Sequence, residues 1–204
     1  MENTLMRHTV RVWDLVVRFG HWMLATLFFT AYFTEGSPTW LHTSAGYGVL
    51  IVIGFRILWG FIGTPHARFR DFIYPLRDVT AYLKSLRARQ PKHYLGHNPA
   101  GGLMVFLLLA ALTGTACTGM TLFAADRGRG PIAAGAALMR GESLRDDGRY
   151  AKVGSKHFWE EVHEVFANVT LALVILHIGG VLVSSVLHRE NLVRAMVTGR
   201  KTLP

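Results

Sequence analysis

Residues 100–124 carry no charged side chain, and that run constrains the chain more than any other feature. A bilayer core about 30 Å thick is crossed by roughly 20 mostly apolar residues in a helix. A helix also satisfies its own backbone hydrogen bonds, which hydrocarbon cannot do for it. Three more stretches have the required length: about 13–33, interrupted early by Asp14 and Arg18; about 42–63, containing Arg56; and about 161–187. The pattern predicts an all-α integral membrane four-helix bundle, with a single transmembrane domain over residues 1–204. Only 17% of the residues are charged and half are hydrophobic, against about 25% charged in a soluble domain. That composition excludes disorder. The one cysteine, Cys117, excludes an internal disulfide, a CxxC metal site and a C-x-x-C-H haem attachment.

The net charge of +9 does not point to nucleic acid, because the basic residues fall between the apolar runs and form no stripe of their own. They act instead as a compass for orientation. Arg7 and Arg11 precede the first span, and Arg68, Arg70, Arg77, Lys84, Arg87, Arg89 and Lys92 fill the connection between the second and third. Arg189, Arg194, Arg200 and Lys201 follow the fourth. The turn from Glu35 to Leu41 has no basic residue, and the loop of about 125–160 nearly balances its basic residues with acids. Both termini are therefore expected in the cytoplasm and the 125–160 loop in the periplasm, in the inner membrane of a bacterium. A cleaved signal peptide is disfavoured, since the first apolar stretch is long and no small-residue cleavage site precedes Glu35. Within the 72–89 segment, Phe72, Leu76, Val79, Leu83 and Leu86 recur at helical spacing with charges on other faces. This predicts an amphipathic helix lying on the anionic leaflet or, equally, packed on a second copy of the chain in a homo-oligomer.

Ionisable side chains inside spans are costly and are read first as functional. Of ten histidines, His8, His66, His93, His97, His157 and His188 fall in loops or at span ends, where a solvated surface is expected. His21, His42, His163 and His177 fall in spans. His163 and His177 are fourteen residues apart, about 21 Å along one helix and within about 40° of the same face. In the deduced topology His42 lies level with His163, and His21, fourteen residues before Glu35, lies level with His177. Two cross-helix pairs result, His42/His163 towards the periplasm and His21/His177 towards the cytoplasm. An iron held by two axial imidazoles across a helical bundle is a b-type haem site.

Ala25, Ala45, Gly46, Ala167 and Gly180 sit about one turn from these histidines, leaving room for a porphyrin, although small residues also serve helix packing. Zinc is the competing metal. It wants three or four ligands at one point, and only Glu164 stands close to His163 in sequence. Arg56, fourteen residues after His42, is expected near the inner pair. There it would meet a haem propionate or snorkel to the interface.

The segments VWDLVVRFGHW (12–22), HTSAGYGVLIVIGFRILWGF (42–61), YLGHNPAGG (94–102), VHEVFANVTLALVILH (162–177) and RENLVRAMVTGRK (189–201) resemble the bacterial cytochrome b561 and Ni,Fe-hydrogenase b-type cytochrome subunit family. The resemblance covers nearly the whole chain outside the loop of residues 126–157. It implies two haems b, each between two histidines, with the ligand roles carried onto His21, His42, His163 and His177. It also implies electron transfer between the quinone pool and a periplasmic partner, either an iron–sulfur subunit or a cytochrome c. Quinone is expected near the cytoplasmic haem, where Arg56 and Arg18 offer donors. Two other functions fit less well. A superoxide:quinone oxidoreductase acting alone would need a basic periplasmic surface. A haem-free transporter or scaffold would be expected to show internal repeats or broken helices, and neither is visible.

Overall fold

The computed structural model describes residues 9–35, 37–90 and 92–202. Arg7 and His8, which the sequence places ahead of the first span, lie outside them. Four helices are long and apolar enough to cross a membrane: α1 (Leu15–Phe33), α2 (Thr39–Ile62), α4 (Pro99–Arg127) and α6 (Lys156–Leu187). Shorter helices are α3 (Leu76–Arg87), α5 (Pro131–Arg140) and α7 (Leu192–Thr198), and a 3₁₀ turn covers Phe69–Asp71. Strands β1 (Thr9–Arg11) and β2 (Arg200–Thr202) pair antiparallel, Val10 opposite Lys201. The chain is an all-α membrane helical bundle. Large apolar side chains such as Phe19, Phe55, Phe61, Ile175 and Val186 are exposed along the long helices, which is the surface that lipid covers.

Helix boundaries follow local chemistry. Asp14, an interruption when read as part of a span, is the cap of α1: its Oδ1 accepts from Val17 N at 2.8 Å, satisfying one of the unpaired amides at the helix start. Asn98 does the same for α4, accepting from Gly101 N at 2.7 Å. Helix α3 begins only after Pro75, later than the expected residue 72, because proline favours the first turn and not the interior. The expected 125–160 loop is shorter than the sequence suggested: α4 and α6 extend into it, and Pro131 at the first turn opens α5, whose Ala133 and Ala137 are buried. Its apolar period was hidden by alanine and glycine.

The long helices divide between two compact units. One comprises the described residues up to Thr26, Val52–Leu107 and those from Leu173 onward. Its core groups Val12, Trp13, Val17, Ala67 and Ala195, with Trp59 and Met196 packed against them. Asp14 stitches this unit together, its Oδ2 accepting from Trp59 Nε1 at 3.0 Å and from the Thr64 hydroxyl. Burial pushes this carboxyl up, but the hydrogen bonds from Thr64, Trp59 and Val17 outweigh it and hold the group below its ordinary value. Gly199 O accepts from Val12 N and Trp13 N at 2.8 and 3.2 Å. Its φ of +77°, with Trp13 O only 2.6 Å from where a Cβ would stand, requires glycine.

The other unit comprises Leu27–Ile51 and Leu108–Ala172. Here α4 and α6 meet closely: a Cβ on Gly114 would lie 2.3 Å from the Phe166 ring. The hydroxyls of Thr115 and Thr170 share a hydrogen bond of 2.8 Å, and Thr170 is fully buried. Small and hydroxyl residues at a helix contact are the usual glue of membrane bundles.

In the first unit Gly102 of α4 lies against the backbone of the segment before α3, with Phe72 O 2.4 Å from a Cβ position, whereas Gly54 of α2 has nothing within 4 Å. Gly102→Ala is expected to cost about 1–3 kcal/mol through forced displacement, and Gly54→Ala to be neutral or stabilising. Thermal melts of the two variants in detergent should separate accordingly. Equal melting temperatures would refute the close approach.

Candidate functional site: two facing histidine pairs

Each unit brings two histidines face to face. In one, α2 and α6 present His42 and His163 with ring centroids 6.0 Å apart and planes at 87°. In the other, α1 and α6 present His21 and His177 at 6.2 Å and 56°. Both rings of the first pair are tied through Nδ1. His42 Nδ1 lies 2.8 Å from Ala31 O, and His163 Nδ1 lies 3.0 Å from Thr115 O. A carbonyl accepts only, so Nδ1 is the protonated nitrogen and Nε2 is left with its lone pair. The Thr118 hydroxyl also reaches His163 Nδ1 at 3.2 Å, and Gly119 of α4 clears the ring's flank.

The second pair has a different surrounding. His21 Nδ1 is buried with no hydrogen-bond partner among the described residues, and so are Arg18 Nε, Arg56 Nη1 and His97 Nδ1. All four belong to the same unit. Arg56, half-buried on α2, lays its guanidinium 4.9 Å from the Phe69 ring centre and 6.0 Å from Phe72. Arg18 gives another of its donors to Val197 O. Buried donors without acceptors are costly, and the Arg18 and Arg56 guanidiniums would each be relieved by an anion supplied from outside the chain.

His97 corrects the expectation of a solvated loop. Its ring is wedged between Trp13 and Phe72, with centroids at 4.6 and 4.4 Å. Burial, helped by the charges of Arg56 and Lys201, pushes it down to about 3. The sequence signal for it was slight: it stands one residue before the Asn98 cap, where the chain must turn inward to start α4. His188 is half-buried and His93, still partly exposed, leans on it, as described below, whereas His157 stays at the surface, paired with Glu161 at 3.4 Å.

Room beside the histidines exists where the small residues stand. Neither Gly46 nor Gly180 has a neighbour within 4 Å of a Cβ position. Among the described residues no group of three or more His, Cys, Asp or Glu could hold a metal ion together, so the pairs stand as pairs. In the 126–156 segment Arg127 and Lys156 share Asp126, Arg140 meets Glu142 and Arg149 meets Asp147. Arg129, Arg145 and Lys152 make no ion pair among the described residues.

With this geometry in hand, comparison with known proteins is informative. A family profile described as prokaryotic cytochrome b561 matches residues 12–199. Proteins named "Probable Ni/Fe-hydrogenase B-type cytochrome subunit" are similar along nearly the whole chain. The one from Rhizobium leguminosarum bv. viciae is 26% identical over 98% of this chain and 92% of its own length. The one from Rhodobacter capsulatus is 25% identical over 99% and 85%. The one from Azotobacter vinelandii is 30% identical over 63% of this chain and 65% of its own. No solved structure matches the chain significantly.

His97 gives a pH prediction. Between its ordinary value of 6.5 and about 3 the unfolded chain binds one more proton at this residue than the folded chain. Folding stability is therefore complete above pH 6.5 and falls as the pH drops, at up to about 1.4 kcal/mol per pH unit from this group. His97→Gln should lose less melting temperature than the wild type between pH 7.5 and pH 5. An identical loss would place the acid sensitivity elsewhere.

Proposed function

The chain belongs to the prokaryotic cytochrome b561 family and is a multi-pass membrane b-type cytochrome of electron transfer; from that premise we propose that it holds two haems b and passes electrons between a periplasmic redox partner and the quinone pool. His42 with His163, and His21 with His177, would hold the haem irons in this reading. The observation that carries it is the spacing of the facing rings, 6.0 and 6.2 Å between centroids. A metal–imidazole bond of about 2 Å plus roughly 1.1 Å from nitrogen to ring centre, taken on both sides, needs about 6.2 Å. Tying Nδ1 of His42 and His163 to carbonyls is the second contact expected of ligating imidazoles, which sets the tautomer and raises ligand basicity.

Haem when bound supplies one-electron chemistry. The chain supplies the rest. Both imidazoles of each pair would be taken up in holding a haem. Arg56, with Arg18 and His97, provides buried donors for the carboxylates of a haem at the His21/His177 tier. The same donors suit the carbonyl oxygens of a quinone reacting there. Placing both termini in the cytoplasm, as the basic residues favour, puts this tier on the inner side of a bacterial cytoplasmic membrane. The relatives are named as hydrogenase subunits, which favours an iron–sulfur hydrogenase subunit over a cytochrome c as the periplasmic partner. Arg129, Arg145 and Lys152 would offer that partner positive charge.

A pyridine haemochrome assay on the purified chain should give about two haems per polypeptide. His163→Ala and His177→Ala should each remove a different spectral component. A value near zero would end the haem reading, and loss of the same component in both variants would end the pairing.

A further inference from the structure

Five titratable side chains come together in the unit that holds His21 and His177, on segments that contribute no haem ligand. Glu190 and Lys201 are almost completely withdrawn from solvent, at 10% and 7% side-chain exposure, with Lys201 Nζ 3.9 Å from Glu190 Oε2. His93, still 29% exposed, brings Nε2 to 2.5 Å from Glu190 Oε1. Its ring stands 5.7 Å from that of His188, whose Nε2 lies 3.2 Å from the Tyr82 hydroxyl. Lys201 Nζ donates to Tyr94 O at 3.2 Å. A cavity of about 20 Å³ opens among His93, Asn98, His188, Glu190 and Lys201, room for about one water.

A structural tie for the C-terminal segment would need one ion pair. Burying a carboxylate and an ammonium costs several kcal/mol each before pairing, and this cluster adds two imidazoles and a phenol around a polar void. The groups that face one another are His93, Tyr94 and Asn98 from the segment before α4, Tyr82 of α3, His188 and Glu190 after α6, and Lys201 of β2. Burial moves His188 and Lys201 down and Tyr82 up. The cluster does not end at the void. His97, next to Asn98 at the void, stacks on Phe72 at 4.4 Å, and the Arg56 guanidinium lies 6.0 Å from the same ring. The half-open His93 and the void thus adjoin, through residues 97 and 98, the buried donors of His97 and Arg56.

We propose that His93, Glu190, Lys201, His188 and Tyr82 form a proton uptake route serving quinone reduction at the His21/His177 tier. This rests on the reading above that quinone reacts there. Reduction of one quinone consumes two electrons, which the periplasmic partner supplies through the haems, and two protons, which this route draws from the aqueous phase. Each quinone carbonyl oxygen becomes a hydroxyl. The route regains its starting protonation from water after each transfer, and quinol oxidation runs the same steps backwards.

The test uses the full-length, haem-loaded chain in lipid nanodiscs, reduced with a stoichiometric amount of dithionite and mixed with a short-chain benzoquinone. Haem reoxidation is followed by absorbance between pH 6 and pH 9, in H₂O and D₂O. Glu190→Gln is expected to keep both haems and their reduced spectra, yet to reoxidise on the order of tenfold or more slowly, with a steeper pH profile. His93→Gln, at the surface and mild to the fold, should slow the same step, and added imidazole should restore part of the rate. Tyr82→Phe keeps the ring's packing and replaces Glu190→Gln if that variant does not fold. Reoxidation of the wild type with all variants matching it, and no imidazole effect, would overturn the route and leave the quinone reading standing. A wild type that is never reoxidised by quinone would overturn the quinone reading, and the route with it.

Discussion

An imidazole in hydrocarbon has two polar nitrogens and no water to spend them on, and the rest of this structure follows from how each is used. At His42 and His163 one nitrogen goes to a backbone carbonyl, Ala31 O or Thr115 O. Those carbonyls belong to α1 and α4, which contribute no histidine to this pair. Four helices must therefore keep register with one another for two rings to meet. The Thr115–Thr170 hydrogen bond and the Gly114–Phe166 approach hold α4 against α6 at the required height. Helix α4, without a single charged residue from 100 to 124, helps position the histidine-bearing helix α6.

The unit around His21 and His177 meets the same constraint differently. It leaves donors of Arg18 and Arg56 and nitrogens of His21 and His97 without partners among the described residues, while Asp14 satisfies Trp59, Thr64 and the start of α1 together. The two Asp14 oxygens are occupied by an amide, an indole and a hydroxyl, and Arg56 is left stacked on Phe69 and Phe72.

The spans and the four histidines were legible in the sequence because each is written within one helix: length, hydropathy and a fourteen-residue interval suffice. His97 and the group of His93, His188, Glu190 and Lys201 were not. Those residues come from a loop, the end of α6 and the last strand, segments far apart along the sequence. No periodicity in the sequence reports such a meeting, and histidine in a polar loop looks the same whether it is solvated or enclosed. Asp14 was misread for a related reason. As part of a span it was a defect, and as the residue just before the first helical turn it is a cap.

Charge distribution bears on orientation once the ion pairs are counted. In the 126–156 segment four basic residues are paired with acids at 2.9–3.4 Å, so this surface presents only part of its nominal charge. Between α2 and α4 the acids are few: Asp71 and Asp78 meet their exposed neighbours Arg70 and Arg77 at 3.7 Å. Exposed pairs of that kind contribute little. Lys84, Arg87, Arg89 and Lys92 make no ion pair among the described residues, and neither do Arg194 and Arg200 beyond α6. The excess of positive charge thus belongs to the segments flanking the His21/His177 unit, which supports a cytoplasmic placement for them. Around α3 it stands beside the exposed Ile73, Leu76 and Leu83. Apolar side chains next to cations without ion-pair partners among the described residues suit an anionic leaflet better than bulk water.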